Sequence, residues 1–412
     1  MPILRTDTIA PTFTGSKKSR LFPLILVTSL FFLWGLAYGL LDVLNKHFQQ
    51  TLEITKQRST LLQAAYFGAY FLMAIPAGNL IKRWGYKNGI IIGLALYALG
   101  AFLFFPSAIM ESFFFFLLSL LVLASGLTFL ETAANPYITI LGDQKTSAFR
   151  LNLSQSFNGV GSFIGPIIGA QFFFSNDSDS QNLDSVQYVY LIMGFIVLFI
   201  AGLFSMTVLP EIKDGASRSE ASLKKLFSRS HFKWAVVAQF FCVAAQVGGA
   251  ALFINYCTET GSGMSNENAS YLLSAGLLLF TIGRFTGTAL MSVIAPNKVL
   301  AIYAIVNVAL SCVVAFLAGN VGVYSLVAIF FFNSVMFPTI FALGVNDLGP
   351  HTKTASSFII MAIVGGAIVP YVMGSFQSTA LAYTVLIVCY IVIAVFAITG
   401  YVVKKVVDEN NS

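Results

Sequence analysis

Charge is what this sequence has least of. Only 10% of its 412 residues are Asp, Glu, Lys or Arg, against about 25% in soluble domains. With 57% hydrophobic residues, the chain falls in the integral membrane class. Histidine and cysteine are equally sparse. His47, His231 and His351 lie near the ends of apolar runs, and no HExxH pattern exists, so no metal site is expected. Cys242, Cys257, Cys312 and Cys389 stand singly, without CxxC spacing, and read as small hydrophobes in packed helices. No nucleophile–base constellation is present, which argues against an intramembrane enzyme, and no cofactor is expected. The net charge of +6 is spread over loops, which leaves nucleic acid a poor partner.

Long apolar runs are what the chain has in abundance. Runs able to span a bilayer fall at about 22–45, 60–81, 88–106, 113–137, 152–174, 187–209, 233–257, 268–292, 299–318, 322–345, 355–376 and 380–403. They predict an all-α membrane protein with twelve transmembrane helices. Lys17, Lys18 and Arg20 precede the first run, but it exceeds twenty residues and lacks a small-residue cleavage pattern, so it is read as a span and not as a signal peptide. With the N-terminus inside, nineteen Lys and Arg gather on the cytoplasmic side and only Lys46, Lys56 and Arg58 on the other. That asymmetry predicts a multi-pass cell-membrane protein with both termini cytoplasmic and the 176–187 segment outside. The expected divisions are a tail at 1–20, a six-helix bundle at 21–210, a cytoplasmic linker at 211–232, a second bundle at 233–404 and a tail at 405–412.

The two bundles repeat each other. Pro136-x-Ile138-x-x-Leu141-Gly142 recurs as Pro338-x-Ile340-x-x-Leu343-Gly344, and Gly161-x-x-x-x-Pro166 recurs as Gly365-x-x-x-x-Pro370, at offsets of 202 and 204 residues. Two motifs agreeing on one register indicate duplication. Paired six-helix repeats about an axis along the membrane normal are the plan of major facilitator transporters. In that register Glu131 falls on Asn333, so the acid belongs to the N-terminal half alone.

Glu131 ends a run without charge from Phe113 to Leu130. An ionisable group at membrane depth is a candidate functional site. Pro136 lacks the N–H that would bond the Thr132 carbonyl, and Asn135 lies one turn from Glu131 on the same face. Asp42, with Tyr38 one turn earlier, lies toward the outer end of span 1; Glu131 falls at mid-depth or below. Carboxylates can simply pin helices together. Two acids without basic partners in their half favour function, because a carboxyl that can be protonated inside the membrane is what proton coupling requires. Arg284, near the cytoplasmic end of span 8, reads as a snorkelling or gate-closing residue, with substrate contact as the other reading. Span 5 carries Asn152, Gln155 and Asn158 (or Gly159) with Ser162 at helical spacing, and span 7 carries Gln239 and Gln246 on one face. Such amides either glue helices or line a site for a neutral polyol, whose hydroxyls need many donors and acceptors.

Several of these stretches resemble one known family. Phe31-Phe-Leu-Trp34-Gly, Leu130-Glu131-Thr-Ala-Ala-Asn135-Pro136, Phe149-Arg150-Leu-Asn152-Leu-Ser-Gln155-Ser-Phe157-Asn158, Trp234-Ala-Val-Val-Ala-Gln239-Phe, Ile282-Gly-Arg284-Phe-Thr-Gly-Thr, Pro338-Thr-Ile-Phe-Ala-Leu-Gly344 and Ser356-Ser-Phe-Ile359 are similar to motifs of the L-fucose/proton symporter family of the major facilitator superfamily. The resemblance implies a proton-driven monosaccharide symporter working by alternating access. It implies Asp42 and Glu131 as the paired acids, one relaying the proton and the other linking proton to sugar. Gln155 and Asn158 match residues of the family's central cavity, and the expected substrate set is Glu131, Asn135, Gln155, Asn158, Tyr38, Gln239 and Gln246, with Arg284 in gating. One position departs. The family's asparagine three residues before the span 1 aspartate is Gly39 here, which leaves glucose, galactose or an amino sugar open beside L-fucose. Sodium coupling and a sugar-sensing transceptor are the remaining alternatives. The expected partners are a monosaccharide, protons and the lipid bilayer, with the chain acting as a monomer.

Overall fold

A computed structural model describes residues 17–140, 147–174, 183–207, 223–260, 263–291, 293–317, 319–346, 348 and 352–402. The termini, residues 211–222 of the expected linker, most of the 176–187 segment and the side chain of Asn152 lie outside the described residues. Every regular element among those described is helical. In lipid this is forced, because a helix satisfies its own backbone polar groups without water.

The first six helices are α1 (Lys17–Thr51), α2 (Lys56–Ile81), α3 (Arg83–Ile109), α4 (Phe113–Ile140), α5 (Ser147–Phe173) and α6 (Asp184–Met206). The second six are α7 (Ser230–Ala251), α8 (Asn266–Leu290), α9 (Pro296–Leu317), α10 (Gly319–Gly344), α11 (352–374) and α12 (Thr379–Gly400). Ten of the twelve qualify as spans by length and hydropathy. The other two fall short for different reasons, α5 by polarity and α11 by the length of its apolar stretch, Phe358–Gly374. Helix α5 is 27 residues long but diluted by Asn, Gln, Ser and Gly, and α11 is interrupted by a 3-10 turn at Ala362–Val364. Large apolar side chains face outward, Phe114 at 63% and Phe199 at 68% exposure, as a lipid-facing surface requires.

Helix α1 extends six residues past the end expected from hydropathy. Its last turns carry Gln49, which the apolar run cannot predict but which finds polar neighbours, described below. Helices α2 and α3 run almost continuously, turned at Gly85, whose φ of 81° suits a residue without a side chain. Within the N-terminal six, α1 packs on α5 and α3 packs on α4 and α6. Within the second six, α7 packs on α11 and α12, and α9 on α10 and α12. The two groups meet chiefly where α5 touches α8 and α2 touches α11.

Helices α1 and α5 are in backbone contact. A Cβ added at Gly39 would collide with the Ser162 carbonyl oxygen, and one at Gly161 with the Phe32 carbonyl oxygen. Small residues permit this closeness, which dispersion then rewards in lipid. Position 39 is thus turned to α5 rather than to open space. Gly39→Asn is expected to lower the melting temperature of the detergent-purified protein by several degrees, as overpacking by about 1–3 kcal/mol would. Unchanged stability with an altered sugar preference would show that this position faces the cavity instead.

Candidate functional site

The N-terminal polar residues fall on two facing stripes. Trp34, Tyr38 and Asp42 repeat every four residues on α1, and Asn45 and Gln49 continue that face. Helix α2 runs antiparallel with Gln63, Tyr66 and Tyr70 toward it. Gln63 Nε2 donates to Asp42 Oδ1 at 3.2 Å. Asn45 Nδ2 donates to Gln63 Oε1 at 3.4 Å. Asp42 is 2% exposed, and its Oδ2 has no partner among the described residues.

From Asn45 the hydrogen bonds cross to the other half. Helix α7 ends at Ala251, whose terminal carbonyl is free for an outside donor, and Asn45 Nδ2 fills it at 2.9 Å. Gln49 Nε2 donates to Asn45 Oδ1 at 3.1 Å, to Ser59 Oγ at 2.9 Å and to Asn255 Oδ1 at 3.1 Å. Asn255 Nδ2 returns a bond to Gln49 Oε1 at 2.7 Å and reaches Glu259 Oε1 at 3.1 Å. Lys56 closes the array by donating to Glu259 Oε2 at 2.9 Å and Thr379 Oγ1 at 2.8 Å. Among the described residues this is the one ion pair. Sequence reasoning counted Lys56 as a topology charge and passed over Asn45, Gln49, Asn255 and Glu259. The continuation of the Asp42 face at i+3 and i+7 was the available signal.

Glu131 lies half-buried on α4, with Oε2 sealed from solvent and without a partner among the described residues. Asn135 and Gln155 come together: Gln155 Nε2 donates to Asn135 Oδ1 at 3.1 Å. Asn158 Nδ2 donates to the Phe31 carbonyl of α1 at 3.2 Å. These half-buried residues tie α5 to α4 and to α1. Tyr38 belongs to the Asp42 face, edge-on to Phe67 at 6.3 Å between ring centres.

The second half has no acid at the matching place, where Asn333 stands in the register of Glu131. Helix α10 is broken after Asn333, next to the Ser334 carbonyl to which Pro338 cannot donate. Arg284 Nε donates to that carbonyl at 3.4 Å, and its guanidinium lies 4.9 Å from the Phe280 ring centre. Gln246 Nε2 donates to the Asn333 carbonyl at 3.2 Å. Gln239 is buried with neither amide atom partnered among the described residues. Gln246 and Arg284 thus serve the α10 break. An apolar cleft of about 400 Å³ lies between Phe71 of α2, Val236 and Phe240 of α7 and Phe358 of α11; it contains none of the polar residues anticipated for substrate.

Glu259 lies beyond the end of α7 and outside the spans. Burial pushes its carboxyl up, but hydrogen bonds from Thr379, Asn255 and Lys56, together with the Lys56 charge, outweigh that and hold it below the ordinary glutamate range. A carboxyl depressed by folding stabilises the folded protein above its unfolded value and loses that contribution as pH falls through its folded value. Glu259→Gln should therefore melt below the parent by a constant margin from pH 8 to 6, and the margin should close only in the acid range beneath about pH 4. A margin that closes near neutrality would show that another group governs this contact.

A family model described as "Major Facilitator Superfamily" matches residues 25–370. The chain is 42% identical to the L-fucose-proton symporter of Escherichia coli (strain K12), over 93% of this chain and 94% of the relative. It is 36% identical to the Glucose/galactose transporter of Brucella abortus biovar 1 (strain 9-941), over 94% and 96% respectively. A crystal structure of a variant of the Escherichia coli fucose:proton symporter matches with a TM-score of 0.70 at 40% identity, covering 92% of this chain and 98% of that one. Twelve helices in two repeated halves, the Glu131 motif on α4 and relatives matched nearly end to end have one source: the chain belongs to the major facilitator superfamily of membrane transporters, in its L-fucose/proton symporter family.

Proposed function

We propose that the protein imports a monosaccharide, L-fucose or a related hexose, together with protons by alternating access. The observation that carries this reading is the pair of buried carboxyl oxygens, Asp42 Oδ2 and Glu131 Oε2, without partners among the described residues. Charge on such an atom is costly in an apolar interior, so taking up and releasing a proton has to follow a change in exposure. Relatives at 42% and 36% identity that bear the names of a fucose–proton symporter and a glucose/galactose transporter support a sugar as the second cargo. The second name keeps glucose and galactose in the panel beside L-fucose.

Orientation belongs to the same proposal. The nineteen-to-three charge asymmetry supports cytoplasmic termini, which makes the Lys56–Glu259 side external. The array from Asn45 to Thr379 then acts as an outer latch between the halves. A cysteine at Ser180, in a background without the four native cysteines, should react with an impermeant thiol reagent outside intact cells. Reaction only after permeabilisation would reverse the topology.

In proteoliposomes, an inward proton gradient should drive accumulation of at least one labelled sugar from a panel of L-fucose, glucose, galactose and glucosamine, and a protonophore should abolish it. Accumulation driven by a sodium gradient alone would assign the coupling ion to sodium. Gln155→Ala and Asn158→Ala should each weaken sugar binding by about 1–2 kcal/mol, the size of one or two hydrogen bonds; unchanged affinity in both would make the α5 stripe helix glue.

The two acids divide the work. Asp42, nearer the proposed outer face and bonded to the latch through Gln63 and Asn45, takes the proton; Glu131, beside Asn135 and Gln155, links proton to sugar. Asp42→Asn should lose uphill uptake and keep sugar-for-sugar counterflow, because exchange needs no net proton movement. Glu131→Ala should lose both. An Asp42→Asn protein that still concentrates sugar would move the proton site elsewhere.

A further inference from the structure

Buried polar side-chain atoms without a partner are rare in folded proteins, and those described here concentrate. Four lie together in the N-terminal half: Asp42 Oδ2, Tyr66 Oη, Tyr70 Oη and Glu131 Oε2. Tyr66 is 1% exposed and Tyr70 4%, so these hydroxyls do not open onto a cavity where a sugar could meet them. They stand one turn apart on α2, ring centres 5.6 Å apart. Both phenols lie within electrostatic reach of the Glu131 carboxyl. On α1, Tyr38 lies within reach of both Asp42 and Tyr66. The antiparallel stripes therefore line up in steps: Gln63 at Asp42, Tyr66 beside Tyr38, and Tyr70 toward Glu131.

We propose that the hydroxyls of Tyr38, Tyr66 and Tyr70 form a proton relay through the protein between Asp42 and Glu131. The inference rests on the proton-symport reading above. A hydroxyl is both donor and acceptor, so it passes a proton without being ionised overall. Bridging water between successive groups makes each contact. The Asp42 O–H bond breaks as its proton passes to a water, which gives one of its own protons to the Tyr38 oxygen. The same exchange carries a proton from Tyr38 to Tyr66, from Tyr66 to Tyr70 and from Tyr70 to the new O–H bond on Glu131. One proton leaves Asp42, one arrives on Glu131, and each phenol ends with a single proton. Rotation of each hydroxyl resets the chain. The unmade hydrogen bonds at these four oxygens are where the bridging waters would bond.

The experiment uses full-length protein in proteoliposomes with whichever sugar of the panel is accumulated, and compares the parent with Tyr66→Phe, Tyr70→Phe and the double variant. Phenylalanine keeps the ring and removes only the hydroxyl. Proton-driven accumulation should slow by about tenfold or more in the double variant, with counterflow and sugar affinity unchanged. The parent's slowing of uphill uptake in heavy water should change in the variants while counterflow stays insensitive to it. If the double variant fails to fold, the single variants carry the same comparison. Uphill uptake at the parental rate overturns the relay and routes the proton through cavity water. Equal loss of affinity, counterflow and accumulation also overturns it and makes the hydroxyls sugar ligands. A parent that never accumulates sugar on a proton gradient overturns the symport reading itself, and the relay with it.

Discussion

An acceptor oxygen without a donor is unfavourable in any protein interior and most unfavourable beneath a bilayer. Asp42 and Glu131 each keep one such oxygen, and much of the N-terminal half is arranged around them. Gln63 satisfies the other Asp42 oxygen and is itself held by Asn45. Asn135, one turn along α4 from Glu131, is bonded by Gln155 of α5 and not by the acid. A structure serving stability alone would complete these shells or replace them with packed apolar groups, which is often neutral or better. Leaving them open is consistent with groups that gain and lose a proton.

The same arrangement couples the acid to the contact between halves. Asn45 divides its amide hydrogens between Gln63, which holds Asp42, and the Ala251 carbonyl of the other half. A change at Asp42 thus acts on a residue that also ties the halves together. Gln49 and Asn255 extend that tie through reciprocal bonds, and Lys56 with Glu259 completes it at a solvent-accessible edge. Neutral amides suit this role. They exchange protein partners for water at a modest difference in free energy, whereas buried ion pairs would hold one state too firmly.

The fold was legible because lipid simplifies the code. Apolar runs of bilayer length become helices, and two repeated motifs located the halves. Helix α5 fails the hydropathy criterion yet was visible through its polar stripe, since Gln155, Asn158 and Ser162 follow helical spacing. The members of the candidate site could be read as polar residues inside apolar runs, but their pairings could not. That Asn158 bonds an α1 carbonyl while Gln155 bonds Asn135 depends on the rotation of α4 and α5, which one sequence does not encode locally. The array from Gln49 to Glu259 was missed for a related reason. Its residues sit at helix ends, where polar side chains are ordinary, and only the approach of α1 to α7 gives them partners. Gly39 was read against a carboxamide facing a cavity, whereas the collision a Cβ would meet at Ser162 assigns it to packing.

The duplicated prolines show how one ancestral plan supports two unlike halves. In the repeat register Pro136 and Pro338 stand opposite Thr132 and Ser334, so each half has a carbonyl that its own helix cannot bond. In the second half the chain breaks there, and Arg284 and Gln246 fill the Ser334 and Asn333 carbonyls. The arginine's charge is spread over a helix break and the Phe280 face, a fixed joint that has no group able to gain a proton. In the first half helix α4 continues, Thr132 turns its hydroxyl back to the Thr128 carbonyl at 2.7 Å, and the register mate of Asn333 is Glu131. Glutamate carries its carboxyl on a side chain one methylene longer than the one that carries asparagine's carboxamide. Exchanging one for the other adds a titratable proton and one methylene of volume. The asymmetry of function therefore requires little asymmetry of structure, and it falls on the half whose proline-containing helix remains whole.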